Sequence, residues 1–212
     1  MIVFRKSEGD VSKNMGMEHK SFLFDTDKFK KELMLTIIKS VEVNSSEMLL
    51  TFINTNLSEI QSPYTGDSLT DGWEEEINNG DIQELSDFAL TKYYSPDEEL
   101  GLAYDWDALL EAIDGLPLKL QRDYYILGQP LETESFVLDP GAMGMGFVFA
   151  EDIPGMYQEL VSLREYFVKN CLTLSEDVLY ELSESELISA YDTLTELMKY
   201  AKDKECGLLM TF

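Results

Sequence analysis

The 212-residue chain reads as an α+β protein, with one mixed or antiparallel sheet packed against several helices and a helical carboxyl third. Three observations predict this class. Leu187, Ile188, Ala190, Tyr191, Leu194, Leu197, Met198 and Ala201 recur at helical spacing, the clearest amphipathic stripe in the sequence. His19–Phe24 alternates instead, with Phe22 and Phe24 on one face, the period of a strand. Apolar residues make up 44% of the chain, enough for a core, so its high charge does not imply disorder. One domain over 1–212 is expected, with an acidic, irregular middle segment at about 61–104.

Element by element, residues 1–5 are apolar enough for a short first strand, and His19–Phe24 supplies the next. Asp25 and Thr26 are placed to cap a helix through about Lys39, on which Phe29, Leu33 and Ile37 share a face. Asn44 with Glu47 three residues later has the form of a capping box, opening a helix over about 45–60. Gln61–Ser68 reads as a loop. Trp73–Ile77 suits one helical turn, and Asp81–Leu90 a fuller helix with Ile82, Leu85, Phe88 and Ala89 inward. Ser95-Pro-Asp-Glu98 sets a cap, a first-turn proline and a box glutamate in helix-starting order. Asp105–Ile113 follows as a helix. Tyr124–Leu127, Ser135–Leu138 and Gly146–Ala150 have strand composition between Gly and Pro turns. Ile153, Met156, Tyr157, Leu160, Leu163 and Phe167 line one helix. Ser183 and Glu186 box the start of the last, and Leu208–Phe212 closes the chain as a strand.

Charge is uneven. The chain holds 41 acids against 16 bases, a net −25. Residues 1–40 carry eight bases and six acids, whereas residues 67–114 carry fifteen acids and a single base, Lys92. Such a balance argues against binding nucleic acid, where phosphate neutralisation supplies much of the affinity, and against anionic membrane surfaces. A basic protein partner, or solubility alone, remains compatible with it. Cys171 and Cys206 form no CxxC pattern and suit a reducing compartment. No apolar run reaches the roughly 20 residues of a membrane helix, and Met1-Ile-Val-Phe-Arg-Lys turns polar at once. The expected location is the cytoplasm.

No catalytic residue, metal site or cofactor is assigned. His19 is the only histidine, so a multi-histidine metal site is excluded by count and a lone general base is the role left to weigh. At the start of a strand it reads as structural rather than as a general base. Carboxylate pairs such as Asp105 with Asp107 are expected by chance in so acidic a chain. Asp67-Ser-Leu-Thr-Asp-Gly places Leu69 and Asn78 where a calcium loop needs ligands, which rules out an EF-hand. The glycines of 141–146 lead into a strand rather than a helix, so they read as a turn and not as a phosphate cradle. Aromatics beside acids anchor many interfaces, and Tyr104, Trp106, Tyr124 and Tyr125 are weighed on that ground against a core role. The partner-binding candidates are Glu74, Glu75, Glu76, Asp97, Glu98, Glu99, Tyr104 and Trp106.

Met15-Gly16-Met17 leading into Ser21-Phe-Leu-Phe-Asp25, then Asp105-Trp106-Asp107-Ala108-Leu109, then Tyr191 through Gly207-Leu-Leu-Met210, resemble stretches of the YfbM-like family of small bacterial proteins. These stretches cover about a quarter of the chain, which departs from the pattern in its fourteen residues before Met15 and its long acidic middle. The resemblance implies a bacterial α+β domain and brings no catalytic residues. The expected function is a protein-binding inhibitor, such as a cytoplasmic immunity protein neutralising a toxin through an acidic surface. The alternatives are a small-molecule or metal-dependent enzyme working through carboxylates and a housekeeping partner.

Overall fold

The computed structural model describes residues 17–140, 146–173 and 178–212. The expected first strand at 1–5 and most of the glycine turn at 141–146 lie outside them. Strand β1 (His19–Phe24) opens the fold and ends at Asp25, whose carboxylate accepts the Lys28 N–H at 2.9 Å and caps α1 (Thr26–Glu32). The single helix expected through Lys39 is two. A break at Leu33 separates α1 from α2 (Met34–Glu42), yet the buried stripe of Phe29, Leu33 and Ile37 runs through it.

The expected capping box at Asn44 does not form. Asn44 takes φ +50° and turns the chain out of α2, leaving it unable to cap α3 (Glu47–Thr55). The Ser45 hydroxyl accepts the Glu47 N–H instead, at 3.3 Å. A one-turn 3₁₀ helix at Trp73–Glu76 and α4 (Ile82–Leu90) follow as expected, α4 capped by Asp81.

The run Ser95–Glu98 makes one turn, Glu98 N–H to Ser95 carbonyl at 3.1 Å, and then enters a strand rather than a helix. This is β2 (Leu100–Ala103), held extended but bulged by antiparallel pairing with β1. Gly101 makes the approach possible. It sits at φ +132°, and a Cβ there would lie 2.5 Å from the His19 carbonyl oxygen. After α5 (Trp106–Ile113), the expected strand at Tyr124–Leu127 is the short helix α6 (Arg122–Ile126). Tyr124, Tyr125 and Ile126 are all buried, which a strand alternating between two faces does not readily allow. A hairpin of β3 (Leu131–Glu132) and β4 (Val137–Leu138) precedes β5 (Phe147–Val148). Helix α7 (Ile153–Asn170) leads to α8 (Glu184–Asp203), which begins with the expected Ser183–Glu186 box and ends before β6 (Gly207–Thr211).

Among the described residues a four-stranded sheet runs β2-β1-β6-β5, every pair antiparallel, with Phe22 opposite Leu209 and Leu23 opposite Leu208. Alternation along β1 and β6 divides the core. Phe22, Phe24 and Leu209 join Phe147 and the apolar sides of α1–α4. Leu208 and Met210 join Val148 and the apolar sides of α5–α8. Among the described residues the sheet is therefore the middle of three layers, with α1–α4 on one face and α5–α8 on the other.

Candidate functional site

His19 is closed off from chemistry. Its ring is 1% exposed, Nε2 donates to the Ile126 carbonyl at 2.7 Å, and Nδ1 accepts the Leu102 N–H at 3.1 Å. That pattern requires the neutral ring protonated on Nε2. Burial lowers its pKa to about 4, against the smaller upward pull of the Ile126 bond. The imidazole pins β2 to β1 and α6, and both nitrogens are engaged. Cys171 and Cys206 are free thiols raised above the usual range by burial. Among the described residues, no group of three His, Cys, Asp or Glu side chains is arranged to hold a metal ion.

The acidic middle, by contrast, is built to present charge. Trp73 is buried, 5.5 Å from the Phe88 ring, and its Nε1 donates to Asn54 Oδ1 at 3.0 Å. Anchored by that indole, the 3₁₀ turn holds Glu74, Glu75 and Glu76 in solvent. Glu84 is the exception. Its carboxylate is buried and accepts the N–H groups of Asn78, Asn79 and Gly80 at 2.7, 2.7 and 2.8 Å. Burial pushes its pKa up, but those three donors outweigh it and hold the group below the ordinary carboxyl value. Glu84 thereby ties the loop beneath the glutamate trio to α4. Lys92, the only base of 67–114, is turned inward: its side chain is 7% exposed and meets Glu32 at 3.0 Å and Glu59 at 3.6 Å. Both partners lie outside the segment, so its outward carboxylates have no cation of their own stretch beside them.

The remaining candidates collect at the sheet edge. Asp97, Glu98 and Glu99 lead into β2, and Tyr104 leaves it, all four exposed. Trp106 does not join them. It is 8% exposed, packs edge-on against Phe212 at 5.0 Å, and donates to the Met17 carbonyl at 2.9 Å, so it is a core residue. Tyr124 and Tyr125 are buried as well, donating to Asp152 and Glu159.

Two hollows flank this edge, and Glu99 lines both. The smaller, of about 430 Å³, lies towards the loop at 63–66 and includes Asp87, Asp97 and Lys20. The larger, of about 830 Å³, is a groove between β2 and the outer side of α8. Its α8 wall, with Ile188, Ser189, Asp192, Thr193 and Glu196, was not anticipated, although the signal was present. Ser185, Ser189 and Thr193 stand four residues apart and leave a low path along one helix face.

Comparison with protein-family models, with curated proteins and with solved structures finds no match to this chain. None of the described helices is long and apolar enough to cross a membrane.

Proposed function

We propose that the protein is a binding protein of the cytoplasm that inhibits a basic protein partner by covering it with its acidic side, as an immunity protein neutralises a toxin. The observation carrying this reading is the division of charge in 67–114: Glu74, Glu75, Glu76, Asp97, Glu98 and Glu99 face solvent while Lys92 is withdrawn to Glu32 and Glu59. One-signed fields of this kind speed capture of an oppositely charged protein. The resemblance to the YfbM-like family belongs to the same proposal, and supplies the bacterial setting.

The test is a pull-down for a basic partner followed by association kinetics at two ionic strengths. The Debye length shrinks from about 30 Å at 0.01 M salt to about 3 Å at 1 M, so association slows markedly while dissociation changes less. Replacing Glu74, Glu75 and Glu76 by Gln reproduces part of that slowing at low salt. Stability changes by no more than about 0.5 kcal/mol, because the three are surface groups. Association that ignores both salt and the triple substitution would remove the electrostatic basis of the reading.

A further inference from the structure

We propose that the groove between β2 and α8 receives a short segment of the protein partner in which basic residues flank an apolar anchor. This deepens the binding reading above and rests on it. The groove measures about 830 Å³, in the upper part of the ~300–1,000 Å³ typical of ligand sites. Leu100, Ile188, Leu197 and Tyr200 provide apolar surface, and Tyr200 is 43% exposed, with the Lys204 ammonium 5.6 Å from its ring centroid. Glu18, Glu99, Asp192 and Glu196 supply the charge, and among the described residues no lysine or arginine lines the groove.

Three of those carboxylates reach cations outside the lining. Glu99 meets Lys20 at 3.0 Å, Asp192 meets Arg164 at 2.6 Å, and Glu196 meets Lys199 at 3.1 Å. The Glu99 and Glu196 pairs are single solvent-exposed contacts of the kind worth about 0–1 kcal/mol, which an arriving guanidinium shares or displaces at little cost, whereas Asp192 is held through both oxygens by Arg164, at 2.6 and 2.7 Å. An acidic segment is repelled by these carboxylates, and a neutral one leaves them unanswered. A basic residue beside an apolar one satisfies both surfaces together.

Backbone pairing is not the means of recognition. Strand β2 is an edge, since among the described residues it pairs with β1 alone, but it spans four residues and is bulged against β1. Short, bulged edges resist strand addition. What β2 contributes is a fixed wall: His19 holds the Leu102 N–H, and Gly101 lies against the His19 carbonyl. A site fixed before the ligand arrives loses less freedom on binding.

The test uses the full chain at about 0.15 M salt, where surface charges more than about 8 Å apart are screened, and three fluorescein-labelled pentapeptides read by anisotropy. Arg-Leu-Arg-Leu-Arg is expected to bind saturably. Arg-Ser-Arg-Ser-Arg should bind at least tenfold more weakly and Glu-Leu-Glu-Leu-Glu not at all. The double substitution Ser189→Arg with Thr193→Arg places two cations in the groove from exposed helix positions and should weaken the first peptide at least tenfold. Tyr200→Ser, which removes apolar wall without adding charge, is the second variant and should weaken it severalfold. The Glu74, Glu75, Glu76 triple variant should bind the peptide within twofold of wild type. The proposal is overturned if the wild type shows no preference for Arg-Leu-Arg-Leu-Arg, if both groove variants bind as wild type does, or if the triple variant loses as much as they do. It is also overturned if the wild type sediments as a dimer that the double substitution separates, since a second copy is then the occupant. Peptide binding that maps to the groove, together with partner association indifferent to salt and to the triple variant, would sink the acidic-face reading alone.

Discussion

The two faces of the sheet are held by different means. Towards α1–α4 the core is aromatic: Phe24 and Phe29 lie 5.3 Å apart, Phe29 stacks on Phe147 at 5.3 Å, and Tyr93 closes edge-on at 5.9 Å. Towards α5–α8 the contacts are largely aliphatic, and buried polar groups cross between elements. His19 joins β1, β2 and α6, the Tyr125 hydroxyl donates to the buried Glu159 carboxylate, and Tyr191 donates to the Leu160 carbonyl at 2.7 Å. Ring packing tolerates small shifts, whereas a buried hydrogen bond tolerates few, because an orphaned partner costs about 1–3 kcal/mol. On the face that carries the β2–α8 groove such a bond ties the sheet itself to a helix, through His19. On the other face the bonds of Trp73 and Glu84 join helices and loops at the rim that carries the glutamate trio.

The sharpest way to break this division is to open each core separately. Phe29→Ala should cost about 3–5 kcal/mol and Leu194→Ala about 2–5 kcal/mol, since both side chains are fully buried. Each layer has its own reporter, Trp73 in the first and Trp106 in the second. Because the layers share β1 and β6, urea melts of Trp73→Phe and Trp106→Phe variants should report coincident transitions for either cavity. Two separated transitions would mean that the layers fold independently.

Acid should distinguish the faces next. The His19 pKa falls from 6.5 unfolded to about 4 folded, so the unfolded state binds the extra proton in between. Stability is therefore complete above about pH 6.5 and drains as pH falls towards 4, by about 3 kcal/mol in all. His19→Leu should abolish that slope while orphaning the Leu102 N–H and Ile126 carbonyl, at about 1–3 kcal/mol each. Stability profiles from urea melts check both, and an unchanged slope in the variant would place the titration elsewhere.

Glu84 should act in a lower window and by less. Its folded pKa is depressed, so its contribution is present above the unfolded carboxyl value of roughly 4.3 and is lost as pH falls through the folded one. Glu84→Gln keeps one acceptor oxygen but turns an NH2 towards the backbone donors of the other, either Asn78 or the pair Asn79 and Gly80, and should cost about 1.5–3 kcal/mol at pH 7. Hydrogen exchange at Asn78–Gly80 should rise with it. Unchanged protection there would show that the loop is held by other contacts.

Local signals were legible wherever one residue pattern served one neighbour. The α8 stripe, its Ser183–Glu186 box, the Asp81 cap and the alternation of β1 all follow from short-range chemistry. So do the charge of 67–114 and the exposure of Glu74, Glu75, Glu76, Glu98 and Glu99, since ionised groups stay in water unless paired. Patterns failed where a distant partner competed. Ser95–Glu98 has helix-starting order, but pairing with β1 takes the chain after one turn. Tyr124–Ile126 has strand composition, but Asp152 and Glu159 supply acceptors for the two tyrosine hydroxyls and His19 a donor for the Ile126 carbonyl, and a helical turn aligns all three. Trp106 sits beside acids in sequence and beside Phe212 in space.

By itself, then, the sequence determined the class of the fold, most helices, the sign and location of the charge, and the limits set by a single histidine. Tertiary structure alone decided that His19 is a buried clamp, that Lys92 turns away from its own segment, and that Asp97–Glu99 share an edge with α8. The reason is physical. Charge and periodicity are properties of neighbours along the chain, whereas burial and grooves arise when residues such as Glu99 and Asp192, far apart in sequence, come to line one space.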